Sequence, residues 1–492
     1  MEGDYLMQAP AQIKHRKAPL KTRLWNYKWF YVMFLPVFVA LIVFHYLPMF
    51  GISLAFFRYQ PSKIANPLEF TGLANFQKLF SRPQFWSSFT NTLEISIIKL
   101  LLNTFMAVII SLLLNEMVST KMKKLSQTII YLPHFMSWVV TAGVFGMLFA
   151  PTSAGLVNQV LIQMGLIDKE IYFLGDNDWW RFSYYIINIW HDTGWGTIIF
   201  MATLTGIDPG IYEAASIDGA GRWKKMRYIT LPALANTIVT VLVLNLAKIM
   251  NLFESVFVLQ NAAVYKTSQV LQTYVYYQTF NSGGNVNFGY TTAIGLFLST
   301  VGAYVLIQWD MPGRNFFAGI MLFTMIFQGG MIPTYLVMKS LHLTNTLWVV
   351  ILMPAINIYN LVLMRNFFEG IPTSLFESAT LDGCSPIQIF YKIVLPLSKA
   401  ALASIGLMFA VSYWNDYTNY KLYITTDQSL YNFQMKLRSI IMGSDLPAAN
   451  GGAAENTVTN AAVIVAILPF MILYPFLQKY FVKGINIGAV KE

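Results

Sequence analysis

The chain has 492 residues, of which 56% are hydrophobic and only 11% charged, and its mean hydropathy is +0.51. Soluble domains carry about 25% charged residues, so this composition argues against a soluble globular protein and for a chain that crosses a membrane repeatedly. The net charge of +10 fits basic cytoplasmic loops better than a nucleic-acid surface, and the single cysteine, Cys384, excludes a disulfide framework and a cysteine metal cluster.

Residues 1–28 form a basic tail with Lys14, Arg16, Lys17, Lys21, Arg23 and Lys28. No small-residue cleavage pattern follows the first apolar run, so the tail reads as cytoplasmic and that run as a retained span. Apolar runs of about 20 residues fall near 30–54, 92–115, 128–150, 182–206, 233–257 and 289–309. Four more fall near 316–338, 346–368, 397–421 and 459–482. The expected fold is therefore all-α, a polytopic bundle of about 10 helices, since a lipid-exposed backbone must satisfy its hydrogen bonds internally. With the N-terminus inside, about 20 of the 33 Lys and Arg face the cytoplasm, which supports both termini inside. The longer polar loops, near 55–91, 151–181, 258–288 and 422–458, then lie outside.

One short motif occurs twice. Residues 213–232 read EAASIDGAGRWKKMRYITLP and residues 377–396 read ESATLDGCSPIQIFYKIVLP. Glu213, Ala215, Asp218, Gly219, Leu231 and Pro232 match Glu377, Ala379, Asp382, Gly383, Leu395 and Pro396 at one constant offset. Chance produces six such matches on the order of once in ten million starts. Each copy reads as helix, turn, helix. Pro209 and Pro372 stand at the start, where a missing N–H costs little. Glu213 and Glu377 are expected in the first turn, complementing the helix dipole. Gly219 and Gly383 suit a left-handed turn, and Leu-Pro is expected to end the second helix and open the next span. Small residues such as Ala214, Ala215 and Ala220, with Ser378, Ala379 and Cys384 in the other copy, would admit a docking surface.

This duplicated loop resembles the EAA loop of binding-protein-dependent ABC importer permeases of the oligosaccharide, maltose-type class. Residues 24–306 resemble one permease, through LPHFMSWVVTAGVFGMLF and FGYTTAIGLFLSTVG. Residues 312–492 resemble its partner, through PGRNFF, GGMIPTYLV, LDGCS, WND and FVKGINIGAVKE. The resemblance implies two permease domains, 29–309 and 310–492, in the cytoplasmic membrane of a bacterium. It also implies coupling positions at Glu213, Ala215, Asp218, Gly219, Glu377, Ala379, Asp382 and Gly383. Those positions would dock cytoplasmic ABC ATPases. A solute-binding protein outside would deliver an oligosaccharide, and the bundle would alternate its access under ATP. The chain itself would be no enzyme and bind no cofactor. It has no Gly-Lys dipeptide and so no P-loop; ATP and Mg would sit on the partner subunits.

The chain departs from that pattern at one place. Each half of such a permease has about six spans, whereas 6 and 4 are expected here. Residues 303–312 read as an in-frame fusion that omits the first two spans of the second unit.

Polar residues inside spans are costly and often functional. Candidates for the solute pathway are Asn188 and Asp192, Asn245 and Lys248, and Trp414, Asn415, Asp416 and Asn419, with His191, Asn251 and Glu254 beside them. Asn188 with Asp192, and Asn415 with Asn419, are four apart and would share a helix face. They would bind sugar hydroxyls while Trp190, Trp195, Trp414 and Tyr417 stack on sugar rings. The same residues would equally serve as interhelical hydrogen bonds or a gate ion pair involving Lys248. No metal is expected, because the histidines show no ligand spacing. Two rivals stay open: an ion-coupled secondary transporter using Asp192 and Asp416, and a fusion product that does not transport.

Overall fold

The computed structural model describes residues 35, 38–58, 69–152, 155–246, 249–250, 252–280, 324, 329–355, 357, 360, 364, 368, 371–441 and isolated positions within 461–468. The fusion segment 303–312, the expected span 289–309, and Lys248 and Asn251 lie outside the described residues. Among the described residues the architecture is helical, apart from one two-stranded antiparallel ribbon pairing Phe57–Arg58 with Glu69–Phe70.

Three described helices are long and apolar enough to cross a membrane: Phe38–Phe56, Pro83–Asn115 and Arg222–Val243. The second, α1 (Pro83–Asn115), begins nine residues before the expected span, with Pro83 at its first position. The expected span at 128–150 is instead broken. α2 (Thr120–Tyr131) runs into a 3-10 turn, Leu132–Phe135, and then α3 (Trp138–Leu148) departs at 106°. Two devices make the break. Pro133 sits in the 3-10 turn, and Ser137 takes an extended conformation and caps α3 by accepting the Val140 N–H at 3.1 Å.

α4 (Asn177–Thr205) packs along α1. Two glycines permit close approach. A Cβ on Gly194 would stand 2.3 Å from the Ile130 carbonyl oxygen, and one on Gly196 would stand 2.8 Å from the Ala107 Cβ. α5 (Pro209–Ile217) and α6 (Arg222–Lys225) follow, then α7 (Leu231–Leu246). The expected span 233–257 stops early, and its last residues form the separate helix α8 (Glu254–Leu259).

Of the segments expected as outer loops, the described part of the third, residues 258–280, is largely helical and buried. α9 (Leu271–Phe280) buries Leu271, Tyr274 and Val275. In the second unit come α10 (Met331–Ser340), α11 (Thr373–Leu381), α12 (Pro386–Ile389), α13 (Lys399–Asn415), α14 (Thr418–Tyr423) and α15 (Phe433–Ile441). The largest core cluster joins Met136, Val139, Phe257 and Tyr276 of the first unit to Met338, Tyr417, Leu422 and Leu437 of the second. Burial of apolar side chains, about 1.5–3 kcal/mol for each large one, therefore binds the two units into one body.

Candidate functional site

The two copies of the motif fold alike, element for element. α5 and α11, α6 and α12, and the π-type turns Met226–Thr230 and Phe390–Val394 keep the same sequence offset as the motif. Gly219 and Gly383 take φ of 75° and 76°. Behind them, Ala220 N–H donates to the Ala215 carbonyl at 2.9 Å and Cys384 N–H to the Ala379 carbonyl at 3.0 Å. That is the six-to-one bond that closes a helix on a left-handed glycine. Neither glycine would meet a neighbour with an added Cβ, so backbone conformation alone demands it.

Three details differ from the sequence expectation. Glu213 and Glu377 lie in the second helical turn, because α5 starts at Pro209 and α11 at Thr373. The carboxylate that meets the free N–H groups in the first copy is Asp208, which accepts from Gly210 N–H at 2.9 Å. Second, Leu-Pro does not end the helix. A proline ring collides with the carbonyl four residues back. Here the turn widens so that Leu231 N–H reaches the Met226 carbonyl and Leu395 N–H the Phe390 carbonyl, five residues away. Arg222–Val243 thus runs unbroken past Pro232. Third, the small residues divide: Ala379 is buried and Ala215, Ala220 and Cys384 half-buried, while Ala214 and Ser378 are exposed, as are Glu213, Asp218, Glu377 and Asp382. The residues offered outward include Ile217 and Leu381, matched in register and each 88% exposed, and the matched pair Ile211 and Leu375. Sequence reasoning missed these four. Their signal was an apolar residue directly before each Asp-Gly, and another two positions before each motif.

A second polar site lies where the broken helix meets α4 and the second unit. Asp192 is held by Lys99 Nζ at 3.3 Å and by His191 Nδ1 at 2.6 Å. His191 is buried, and its Nε2 donates to the Met136 carbonyl at 3.0 Å. That carbonyl is one of those freed by the helix break. Its neighbour, the Phe135 carbonyl, accepts from Asn415 Nδ2 of the second unit at 2.9 Å. Ser137 adds a third tie, donating to Gln434 Oε1 at 2.7 Å. The break is thus capped from both units. His134 stacks on Trp195 at 5.0 Å, and His191 stacks on Trp138 at 4.2 Å.

Of the predicted pathway residues, Asn188 and Asp192 share α4; Asn188 is fully buried and donates to the Tyr184 carbonyl at 2.8 Å. Asn415 and Asn419 do not share a helix. The backbone is extended at Asp416, whose carboxylate accepts from Asn419 N–H and from Asn419 Nδ2, both at 3.0 Å. Asp416 thereby starts α14. Trp414 stacks on Phe433 at 5.7 Å, Glu254 faces Asp416 and Thr418, and Asn245 is exposed on α7. The partner of Asp192 is Lys99, a residue that sequence reasoning left unassigned. Its signal was a lysine inside an apolar helix of 33 residues, where an unpaired charge is expensive. The grouping of His134 with His191 was hidden, because it arises across a helix break.

The model of one protein family, the "binding-protein-dependent transport system inner membrane component", matches twice, over residues 107–310 and 313–487. The chain is 37% identical over 304 residues to the polygalacturonan/rhamnogalacturonan transport system permease protein YteP of Bacillus subtilis (strain 168), covering 62% of this chain and 93% of that protein. It is 46% identical over 206 residues to protein LplC of the same organism, covering 41% of this chain and 70% of that protein. Among solved structures, a bacterial ABC transporter involved in import of the acidic polysaccharide alginate superposes with a TM-score of 0.53 and 34% identity, over 58% of this chain and 96% of that one.

Proposed function

The chain belongs to the family of binding-protein-dependent transport system inner membrane components, and from that premise we propose that it is the two-unit permease of an ATP-driven oligosaccharide importer. The observation that carries the mechanism is the pair of like helix–glycine–helix loops, each presenting an exposed apolar residue, Ile217 or Leu381, beside its turn. Two like surfaces suit two like partners, and cytoplasmic ABC ATPases are the partners this reading assigns. Glu213, Asp218, Gly219, Glu377, Asp382 and Gly383 shape the docking loops; Ile217 and Leu381 fill hollows on the ATPases. ATP and Mg bind on those subunits and not on this chain, and closure of the ATPase pair pushes both loops.

The push on the first loop reaches the membrane along a continuous helix. In the first unit it travels through α6 and the π-type turn into α7. The solute route runs along the junction of the two units, past Asp192, Asn188, Trp414 and Asn415, and the broken helix between α2 and α3 is the element whose contacts change as access alternates. A solute-binding protein outside delivers the solute; a neighbouring structure is described as an alginate transporter in complex with a pentasaccharide-bound periplasmic protein. The names of the relatives favour an oligosaccharide that carries uronic acids. The setting is the cytoplasmic membrane of a bacterium.

The test is co-purification of the full chain with its cognate ATPase. The Gly219→Val, Gly383→Val double variant should lose the ATPase, because a β-branched residue is strained at positive φ. Intact docking in that variant would remove the loops from the mechanism. Stimulation of the complex's ATPase by a binding protein loaded with oligogalacturonide, and not with a neutral glucan, tests the solute class.

A further inference from the structure

We propose that His134, His191 and Asp192 form a binding site for a zinc-class divalent metal ion. One ligand atom from each of the three residues can be chosen so that all lie within 4.8 Å of one another. Two imidazoles and one carboxylate are a donor set that suits zinc and its neighbours and disfavours magnesium or calcium, which take oxygen.

The surroundings are arranged as a metal site requires. His191 Nε2 donates to the Met136 carbonyl at 3.0 Å. A carbonyl only accepts, so Nε2 carries its proton, and loss of the proton shared between Nδ1 and Asp192 leaves the Nδ1 lone pair free for an ion beside that carboxylate. Metal-bound histidines commonly use their second nitrogen this way. Asp192 has one oxygen held by Lys99 at 3.3 Å and the other turned to the imidazoles. His134 Nδ1 is buried and makes no hydrogen bond; its distance to Asp192 Oδ1, 3.7 Å, is beyond hydrogen-bond reach. A buried nitrogen held this far from the carboxylate it faces gains little from it unless something joins the two. Both rings are fixed by stacking, His134 on Trp195 and His191 on Trp138.

Two distances define how an ion enters. Tetrahedral ligands at about 2.0–2.1 Å from zinc stand about 3.3 Å apart. The His134 separation of 3.7 Å is near that, whereas the His191 separation of 2.6 Å is a proton-bridged contact. Metal binding therefore displaces one proton from between His191 and Asp192 and widens that pair by about 0.7 Å. Lys99 opposes the ion with its own charge, which makes the site moderate in affinity and sensitive to pH. Because His134 sits on the 3-10 turn before the helix break and His191 on α4, a bound ion ties the broken helix to α4.

The experiment uses the full chain in lipid nanodiscs, purified without a histidine tag and stripped with chelator. Cobalt is titrated and followed by its visible absorption, and zinc by calorimetry in two buffers of different ionisation enthalpy. The expected result is one ion per chain with release of about one proton. His134→Phe, which keeps a ring on Trp195, should weaken binding at least about tenfold, and Lys99→Met should tighten it about tenfold or more. No cobalt band, or equal affinity in wild type and His134→Phe, would overturn the assignment, as would weaker binding in Lys99→Met. These readouts do not involve ATPase or solute, so they stand apart from the importer reading.

Discussion

The two copies of the motif are alike inside and different at their exits. Inside, the glycine turn, the six-to-one bond and the widened turn before proline recur with the same register. At the exit, the first copy continues as one helix to Val243, whereas the second breaks at Ser398, where φ is −96° and ψ is 13°, before α13 begins. Their charges differ too: Arg222, Lys224, Lys225 and Arg227 crowd the first copy, while the second has Lys392 alone over the matching stretch. The shared geometry belongs to whatever both loops touch. The differences belong to what each loop is attached to.

Substitutions can break or sharpen that comparison. The largest effect is expected from Ile217→Asp combined with Leu381→Asp, which puts two charges into apolar contacts. Loss of about 2–4 kcal/mol per site in ATPase binding would be read as loss of co-purification, and single variants with equal effects would show that the copies dock equivalently. Next, Asn415→Ala removes its hydrogen bond to the buried Phe135 carbonyl at the helix break. It should cost about 1–3 kcal/mol, read as a lower unfolding temperature in detergent with docking intact. Pro232→Ala and Pro396→Ala remove the reason for the widened turns. Each should restore regular bonding and rotate the attached helix by about 100°, read as ATP hydrolysis that continues while uptake falls. A larger effect at Pro232 than at Pro396 would follow from the unbroken first exit. The smallest effect is expected from Lys225→Ala, which removes the exposed contact with the Ser216 hydroxyl. Nothing matches that contact in the second copy, and a loss within about 1 kcal/mol should leave docking unchanged.

The sequence revealed more of the loops than of the buried site, for a physical reason. Gly219 and Gly383 announce their conformation because only glycine takes it cheaply, and the repeated spacing carries the rest. The widened turns were not legible: Leu-Pro reads equally as a helix end or as a defect that a helix absorbs, and packing decides. The helix break at Met136 and Ser137 was masked because Pro133, His134 and Ser137 lie inside a run apolar enough to read as one span. The four-residue spacing of Asn415 and Asn419 misled, because Asp416 captures the Asn419 N–H and ends the helix between them. Lys99 and Asp192 find each other only once α1 and α4 are packed, a contact between residues far apart in the chain.

The core shared by the two units has a consequence for assembly. Separate permease subunits meet by diffusion in the bilayer, and each can meet its own kind. Here the second unit reaches the first as a tethered neighbour, at an effective concentration on the order of millimolar. Pairing becomes a unimolecular event, insensitive to expression level, and the ratio of one unit to the other is fixed at translation. A mutation that weakens the shared cluster around Met136, Tyr417 and Leu437 would therefore slow folding within the chain without changing the stoichiometry of the complex.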